Sequence, residues 1–328
     1  MKYKMTTLKI GNKEFNSKVI LAPMAGITDS VLRSMVRGFS PECLVMSEMI
    51  SSEGLRMNPD RSITHAEANE YPLCFQISGH KPHLMAEAAK ILEPIATVID
   101  INMGCPAPKI IKNGDGSALT KDMKLASEII SAVKKATAVP VTVKTRLGWD
   151  VSSMRYLDFA KMVQDSGADA LMVHGRTRSQ MYSGVANWDA IAEIKQALEI
   201  PVIANGDINS VEAAIKCQKI TNCDGFAIGR GVLGDVELIS RIEHYFATGE
   251  ILPEPTINRR IEIARIHLEK EIEFRGEIFG ICFMRKFLSY YIKNIKGAAQ
   301  YRSALVRMKE KQEILDTFDE ILGEYCTS

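Results

Sequence analysis

Between residues 19 and 230, short apolar runs rich in β-branched side chains alternate with longer stretches that carry helical punctuation. Eight such runs can be read, at residues 19–22, 44–47, 73–77, 98–101, 141–143, 170–173, 202–204 and 225–228. They are nearly continuous in apolar character, as expected of parallel strands covered on both faces. Between them, Thr28-Asp29 and Ser210 stand where helix caps belong, and residues 121–136 and 158–166 fit amphipathic helices. Eight βα units over this length predict an α/β fold, a (β/α)8 TIM barrel of about 250 residues. An open doubly wound sheet is the alternative.

The closed barrel is favoured by what stands at or just past each run: Pro23-Met24, Glu48, Gln76, Asn102 with Cys105, Lys144, His174, Asn205-Gly206-Asp207 and Gly229-Arg230. A barrel gathers all eight strand ends on one face, where barrel enzymes build their sites. An open sheet would spread them along an edge.

After residue 250 the strand pattern stops at Leu252-Pro253-Glu254-Pro255, which reads as a linker. Helical periodicity follows through Ile261, Ala264, Ile266 and Leu268, then Phe283, Phe287, Leu288 and Tyr291, then Leu305, Met308, Ile314 and Phe318. The chain therefore divides into a barrel, residues 1–250, and a small C-terminal all-helical domain, residues 251–328. In the latter, Arg285, Lys286, Lys293, Lys296, Arg302, Arg307 and Lys309 stand with no carboxylate between the first and the last, and Tyr290, Tyr291 and Tyr301 interleave with them. This is either a solvated helix face or a phosphate-binding surface for structured nucleic acid.

Composition narrows the field only slightly. With 328 residues, 46% apolar and 25% charged, the chain can bury a large core. Its net charge of +1 leaves any affinity for nucleic acid to a local patch. The N-terminal segment is polar and no apolar run approaches about 18 residues, so a cytoplasmic protein without membrane contact is expected. The seven cysteines are odd in number, scattered and free of any Cys-x-x-Cys pair. That argues against a disulfide scaffold and against a metal site, and makes most of them buried, reduced thiols.

Several residues carry candidate chemistry. Residues 229–234 spell Gly-x-Gly-x-x-Gly after a strand, but no βαβ unit follows, so a dinucleotide fingerprint is rejected. The loops after the last two barrel strands are instead a phosphate site in many barrels, or simply tight turns. Lys144 would point into the mouth, where it needs an anionic ring, a carbonyl oxygen or a carboxylate. His174, with Arg176 and Arg178 close behind, suggests anion binding, while the other five histidines read as structural or surface groups. Cys105, between Gly104 and Pro106, is a candidate nucleophile or general acid, and its spacing does not separate the two.

The ordered set Ala22-Pro23-Met24-Ala25-Gly26-Ile27-Thr28-Asp29, Asn102-Met103-Gly104-Cys105-Pro106, Val143-Lys144-Thr145-Arg146, His174-Gly175-Arg176-Thr177-Arg178, Asn205-Gly206-Asp207 and Gly229-Arg230 resembles the tRNA-dihydrouridine synthases. Phe283-Met284-Arg285-Lys286 and Gly297-Ala298-Ala299 look most like their bacterial B branch. The resemblance implies FMN held by Pro23, Met24, Ala25, Gln76, Lys144, His174, Asn205, Gly206, Asp207, Gly229 and Arg230. It implies a target uracil held by Asn102, Arg146 and Arg176, with Arg178 nearby, and tRNA gripped by Arg285, Lys286 and Lys293. By the same resemblance NADPH reduces FMN, and hydride passes from flavin N5 to uracil C6 while Cys105 protonates C5. A monomer is expected. The family often carries Pro-Trp after Gly229-Arg230, whereas this chain reads Gly231-Val232, so local packing there should differ. The rival expectation is an FMN barrel acting on a free pyrimidine, which would have no need of the basic tail.

Overall fold

The computed structural model describes residues 7–58 and 64–326, with the side chain of Cys326 outside the described set. An antiparallel hairpin, β1 (Leu8–Ile10) and β2 (Lys13–Phe15), precedes eight parallel strands. These are β3 (Val19–Leu21), β4 (Leu44–Ser51), β5 (Leu73–Ser78), β6 (Val98–Met103), β7 (Val141–Arg146), β8 (Ala170–His174), β9 (Val202–Asn205) and β10 (Gly225–Ile228). They close in chain order, β10 pairing with β3, so the open-sheet alternative falls. Leu8, Ile10 and Phe15 of the hairpin pack with Ile20, Leu44, Val98, Ala170 and Ile203, which plugs the barrel at the N-terminal ends of its strands. Only the opposite end is left for a site.

Helices α1 (Ser30–Phe39), α2 (Ser52–Met57), α3 (Pro82–Leu92), α4 (Pro108–Lys112), α5 (Met123–Ala136), α6 (Tyr156–Asp165), α7 (Trp188–Ala197), α8 (Val211–Thr221) and α9 (Leu238–Thr248) complete the barrel. The expected caps act as such: Asp29 accepts from Leu32 N and Ser210 from Ala213 N.

The strands run further than the apolar runs. Asn102, Lys144, His174 and Asn205, read as following their strands, are themselves paired rungs at or near the strand ends, with Asn102 opposite Lys144 and His174 opposite Asn205. Backbone pairing continues after the side chains turn polar, because at the mouth a side chain meets solvent or ligand while its backbone still needs partners. Strand β4 extends to Ser51 through a register shift between Met46 and Met49, and Glu48 sits in that shift.

Gly249, in the left-handed region, ends α9. Thr256 caps α10 (Ile257–Arg275), followed by α11 (Glu277–Tyr291), α12 (Ala298–Leu305) and α13 (Lys311–Cys326). The apolar core runs unbroken from the barrel helices into this bundle, through Ile261, Ala264, Leu268, Met284, Phe287 and Leu288. Ionic contacts fix the junction: Arg275 of α10, held by Glu271 of its own helix, pairs with Asp29, and Arg259 pairs with Glu237 at 2.7 Å. Among the described helices none is long and apolar enough to cross a membrane.

Cys43, Cys74, Cys217 and Cys223 are buried free thiols, as read, whereas Cys282 is exposed. His267 is fully buried with Nδ1 2.9 Å from Tyr291 Oη, a structural role in keeping with the reading.

Candidate active site

The chemistry-bearing residues converge at the open end. Asn102, near the end of β6, accepts on Oδ1 from the backbone N–H of Gly104 (3.2 Å) and of Cys105 (2.9 Å). Its Nδ2 donates to Gln76 Oε1 at 2.8 Å. The Cys105 carbonyl accepts from Ser117 N at 3.0 Å, so the loop is held from both sides and the thiol is left half-buried. A close approach demands Gly116, since a Cβ there would lie 2.8 Å from the Cys105 carbonyl oxygen. Asn102, implied to hold the base, thus uses one end of its amide on the cysteine loop.

Lys144 donates to Asn205 Oδ1 at 3.0 Å, and Asn205 Nδ2 donates to Ala227 O at 2.7 Å. Burial pushes the Lys144 pKa down to about 8, the Arg146 cation adds to that, and Asp100 and Cys105 oppose it. Among the described residues no carboxylate pairs with it, so two ammonium protons stay available.

Arg146 donates from Nε to Gly104 O (2.9 Å) and from Nη1 to Thr177 O (3.0 Å) and Met181 O (2.7 Å), leaving Nη2 without a partner among the described residues. Arg176, implied to hold uracil, is engaged by protein groups. It is 2% exposed, with Nε on Ser183 O, Nη2 on Gly184 O and Asp207 Oδ2, and Nη1 3.3 Å from His174 Nε2. In this structure it braces His174 and the β8 loop. Arg178 lies 4.4 Å from the Trp149 ring centroid, beside Lys121 at 4.6 Å, and its buried Nε has no hydrogen-bond partner among the described residues.

His174 is held neutral. Burial pushes its pKa down to about 2, reinforced by Lys144, Arg146, Arg176 and Arg230. It therefore serves an anion as a hydrogen-bonding ring, and cannot serve it as a cation. The folded chain refuses a proton that the unfolded chain takes up below about pH 6.5, so the stability due to this group is present above that pH and is lost as pH falls toward 2. A His174→Gln chain is expected to lose less stability between pH 6.5 and 4 than the native chain. Denaturant midpoints across that range check this, and parallel curves would sink it.

Gly206 cannot carry a side chain, because a Cβ would lie 2.7 Å from the His174 ring. Asp207 accepts from Arg176 and from Ala186 N, and Arg230, 51% exposed, reaches to 3.8 Å from it. Gly229 lies against Met24, whose Sδ would be 3.6 Å from an added Cβ. Pro23 and Met24 are half-buried and Ala25 is exposed in the β3 loop.

The tail residues separate. Arg285 donates to Met308 O from Nε (3.1 Å) and Nη2 (2.8 Å), tying the bundle to itself. Lys286 turns back to the barrel, donating to Gly26 O, whose N–H is held by Glu48. Lys293, Lys296, Arg302, Arg307 and Lys309 are exposed. Of the interleaved tyrosines, Tyr291 is buried and Tyr290 exposed.

The roles of four residues escaped the sequence reading. Asp100 is fully buried beneath the mouth, although an acid inside an apolar run was a signal. Tyr182, 53% exposed, has Arg230 4.7 Å and Arg146 5.6 Å from its ring, and an aromatic in a Gly- and Ser-containing loop could have suggested it. Glu48 clamps Gly26. His80, read as a structural or surface group, sits two residues past β5 with Nδ1 2.8 Å from Asp115.

A family model described as dihydrouridine synthase (Dus) matches residues 20–325. A probable tRNA-dihydrouridine synthase 1 of Synechocystis is 43% identical over 320 residues, covering 96% of this chain and 89% of that protein. The tRNA-dihydrouridine synthase B of Pseudomonas putida is 40% identical over 311 residues, covering 94% and 92%. Among solved structures, a histamine dehydrogenase from Rhizobium aligns with TM-score 0.54 at 12% identity, over 88% of this chain and 51% of its own. A mandelate oxidase variant with benzaldehyde aligns at 0.51 and 16%, over 75% and 78%. At those identities the likeness is one of fold alone.

Proposed function

The chain belongs to the dihydrouridine synthase family and reduces a uridine in tRNA to 5,6-dihydrouridine; we propose that it does so at the barrel mouth with FMN, NADPH as reductant and Cys105 as proton donor. The observation that carries the assignment is the half-buried Cys105 thiol, on a loop whose backbone N–H groups the Asn102 amide holds, within electrostatic reach of Lys144 and Arg146.

The residues present fit a flavin mononucleotide. Lys144 has ammonium protons to offer an electron-rich carbonyl edge, and Gln76 and the neutral His174 ring add hydrogen-bonding groups. The half-exposed Arg230 and the loops after β9 and β10 suit a phosphate, and Pro23, Met24 and Ala25 would form the facing wall. Bound there, the flavin would supply the hydride that uracil reduction requires.

The chain supplies the proton, held on Sγ of Cys105 for delivery to uracil C5. Arg146 offers Nη2 to a uracil oxygen, and with Lys144 it stabilises negative charge developing on the ring. The exposed Tyr182 ring can stack on a base turned out of folded tRNA. Arg178 stands at the rim beside Trp149, where it can meet the strand that carries that base.

Two experiments test this reading. Lys144→Met is expected to weaken flavin binding at least about tenfold, since it removes a charged donor; fluorescence titration of flavin into the apoprotein checks this, and unchanged affinity would place the flavin elsewhere. Lys293→Glu is expected to weaken tRNA binding several-fold and lower the salt slope by about 1. Binding isotherms at several salt concentrations report it, and identical isotherms would return Lys293 to a merely solvated face.

A further inference from the structure

We propose that Asp100 is a positioning residue that sets the direction of every amide between itself and Cys105. The hydrogen bonds form one chain. Thr142 Oγ1 donates to Asp100 Oδ1 at 2.5 Å, and Gln76 Nε2 donates to Asp100 Oδ2 at 2.7 Å. Asn102 Nδ2 donates to Gln76 Oε1 at 2.8 Å, and the N–H groups of Gly104 and Cys105 donate to Asn102 Oδ1.

Direction along this chain follows from donor and acceptor inventory. An ionised carboxylate only accepts, so Gln76 must turn its NH2 toward Asp100 and its oxygen toward Asn102. Asn102 must then present its own NH2, which leaves its oxygen for the cysteine loop. Without an obligate acceptor at the root, both amides could rotate together. The Asn102 NH2 would then face two backbone donors, and the loop that carries the thiol would lose its anchor.

The placement of Asp100 supports a role of this kind. It is fully buried between Ile99 and Ile101, where a charge is costly unless compensated. Burial pushes its pKa up to about 6, while Gln76, Thr142 and Lys144 pull it back, and the two side-chain donors aimed at its oxygens hold it as an acceptor. An apolar side chain there would avoid the cost of a buried charge but would leave Gln76 without direction.

The inference rests on Cys105 being the reactive group, and its test reads the loop directly. Amide hydrogen exchange at Gly104 and Cys105 is measured in the full chain as purified, beside dihydrouridine formation. Q76E removes the donor and sets a second carboxylate against Asp100, and D100A removes the acceptor. In both, exchange at the two amides is expected to accelerate about tenfold and product to fall. Adding D100N to Q76E reverses the first bond and keeps the rest: the new amide accepts from Thr142 and donates to the new carboxylate, whose other oxygen accepts from Asn102. Exchange should return to near the native rate. Native exchange in either Q76E or D100A, or a D100N/Q76E chain that exchanges or folds no better than Q76E, overturns the proposal. Failure of the thiol reading is separate, since it would show as native product formation in C105A whatever the exchange rates.

Discussion

Cys105→Ala is expected to lower dihydrouridine formation about 10²- to 10⁴-fold, the range for loss of a positioned proton donor. Flavin binding and NADPH oxidation should persist. The change removes only Sγ: the backbone N–H that Asn102 accepts and the carbonyl that receives Ser117 N both remain. The groups proposed to hold the flavin lie on other strand ends, including Lys144 of β7, Asn205 of β9 and the loop after β10. Mapping dihydrouridine in tRNA treated with the variant, with NADPH consumption followed in parallel, separates the half-reactions. Native product levels would remove Cys105 from the chemistry. Loss of flavin together with product would mean that the thiol belongs to the cofactor's seat.

Gly234→Ala is expected to destabilise the protein by about 2–5 kcal/mol and to weaken tRNA binding with it. Gly234 has φ +75°, a conformation that costs any other L-residue about 1–2 kcal/mol. Its added Cβ would lie 2.4 Å from the Tyr290 carbonyl oxygen and 2.5 Å from its carbon. Both obstacles are backbone of α11, so the clash is relieved only by moving the bundle away from the loop after β10. Gly38→Ala in α1, where a Cβ meets nothing within 4 Å, is the control and should stabilise by about 0.5–1 kcal/mol. Denaturant midpoints and tRNA isotherms of the two variants report the contrast; equal midpoints would show that the loop and α11 yield independently. The residues that replace the family's frequent Pro-Trp pair thus pass through a short 3-10 turn, Arg230–Val232, into a glycine pressed against the helical bundle.

Much of this molecule was legible from residue order. Apolar runs with β-branched side chains mark all eight barrel strands, because strands covered on both faces cannot alternate. The polar residues at their ends mark the mouth, since a closed barrel has only one face where strand ends meet solvent. Leu252-Pro253-Glu254-Pro255 marks the passage to the helical bundle, because two prolines permit neither helix nor sheet pairing there.

Side-chain direction was not legible. Arg176 and Lys286 are cations whose positions suggested ligands, yet one braces His174 and Asp207 and the other holds the Gly26 carbonyl of the β3 loop. A guanidinium or ammonium points toward whichever oxygen the fold brings near, and those oxygens are 31 and 260 residues away in sequence. Asp100 drew no reading within the run 98–101 because its partners, Gln76 and Thr142, come from neighbouring strands.

The β1–β2 hairpin that plugs the barrel was not read from residue order. The sequence by itself determined the eight barrel strands, the end at which their polar residues gather, and the identity of the residues gathered at Asn102-Met103-Gly104-Cys105-Pro106. Periodicity and composition act locally along the chain, and those features depend on nothing more. Only the tertiary structure decided which donors remain free for a ligand and which are bound to the protein, because hydrogen-bond direction is set by groups that meet across the barrel.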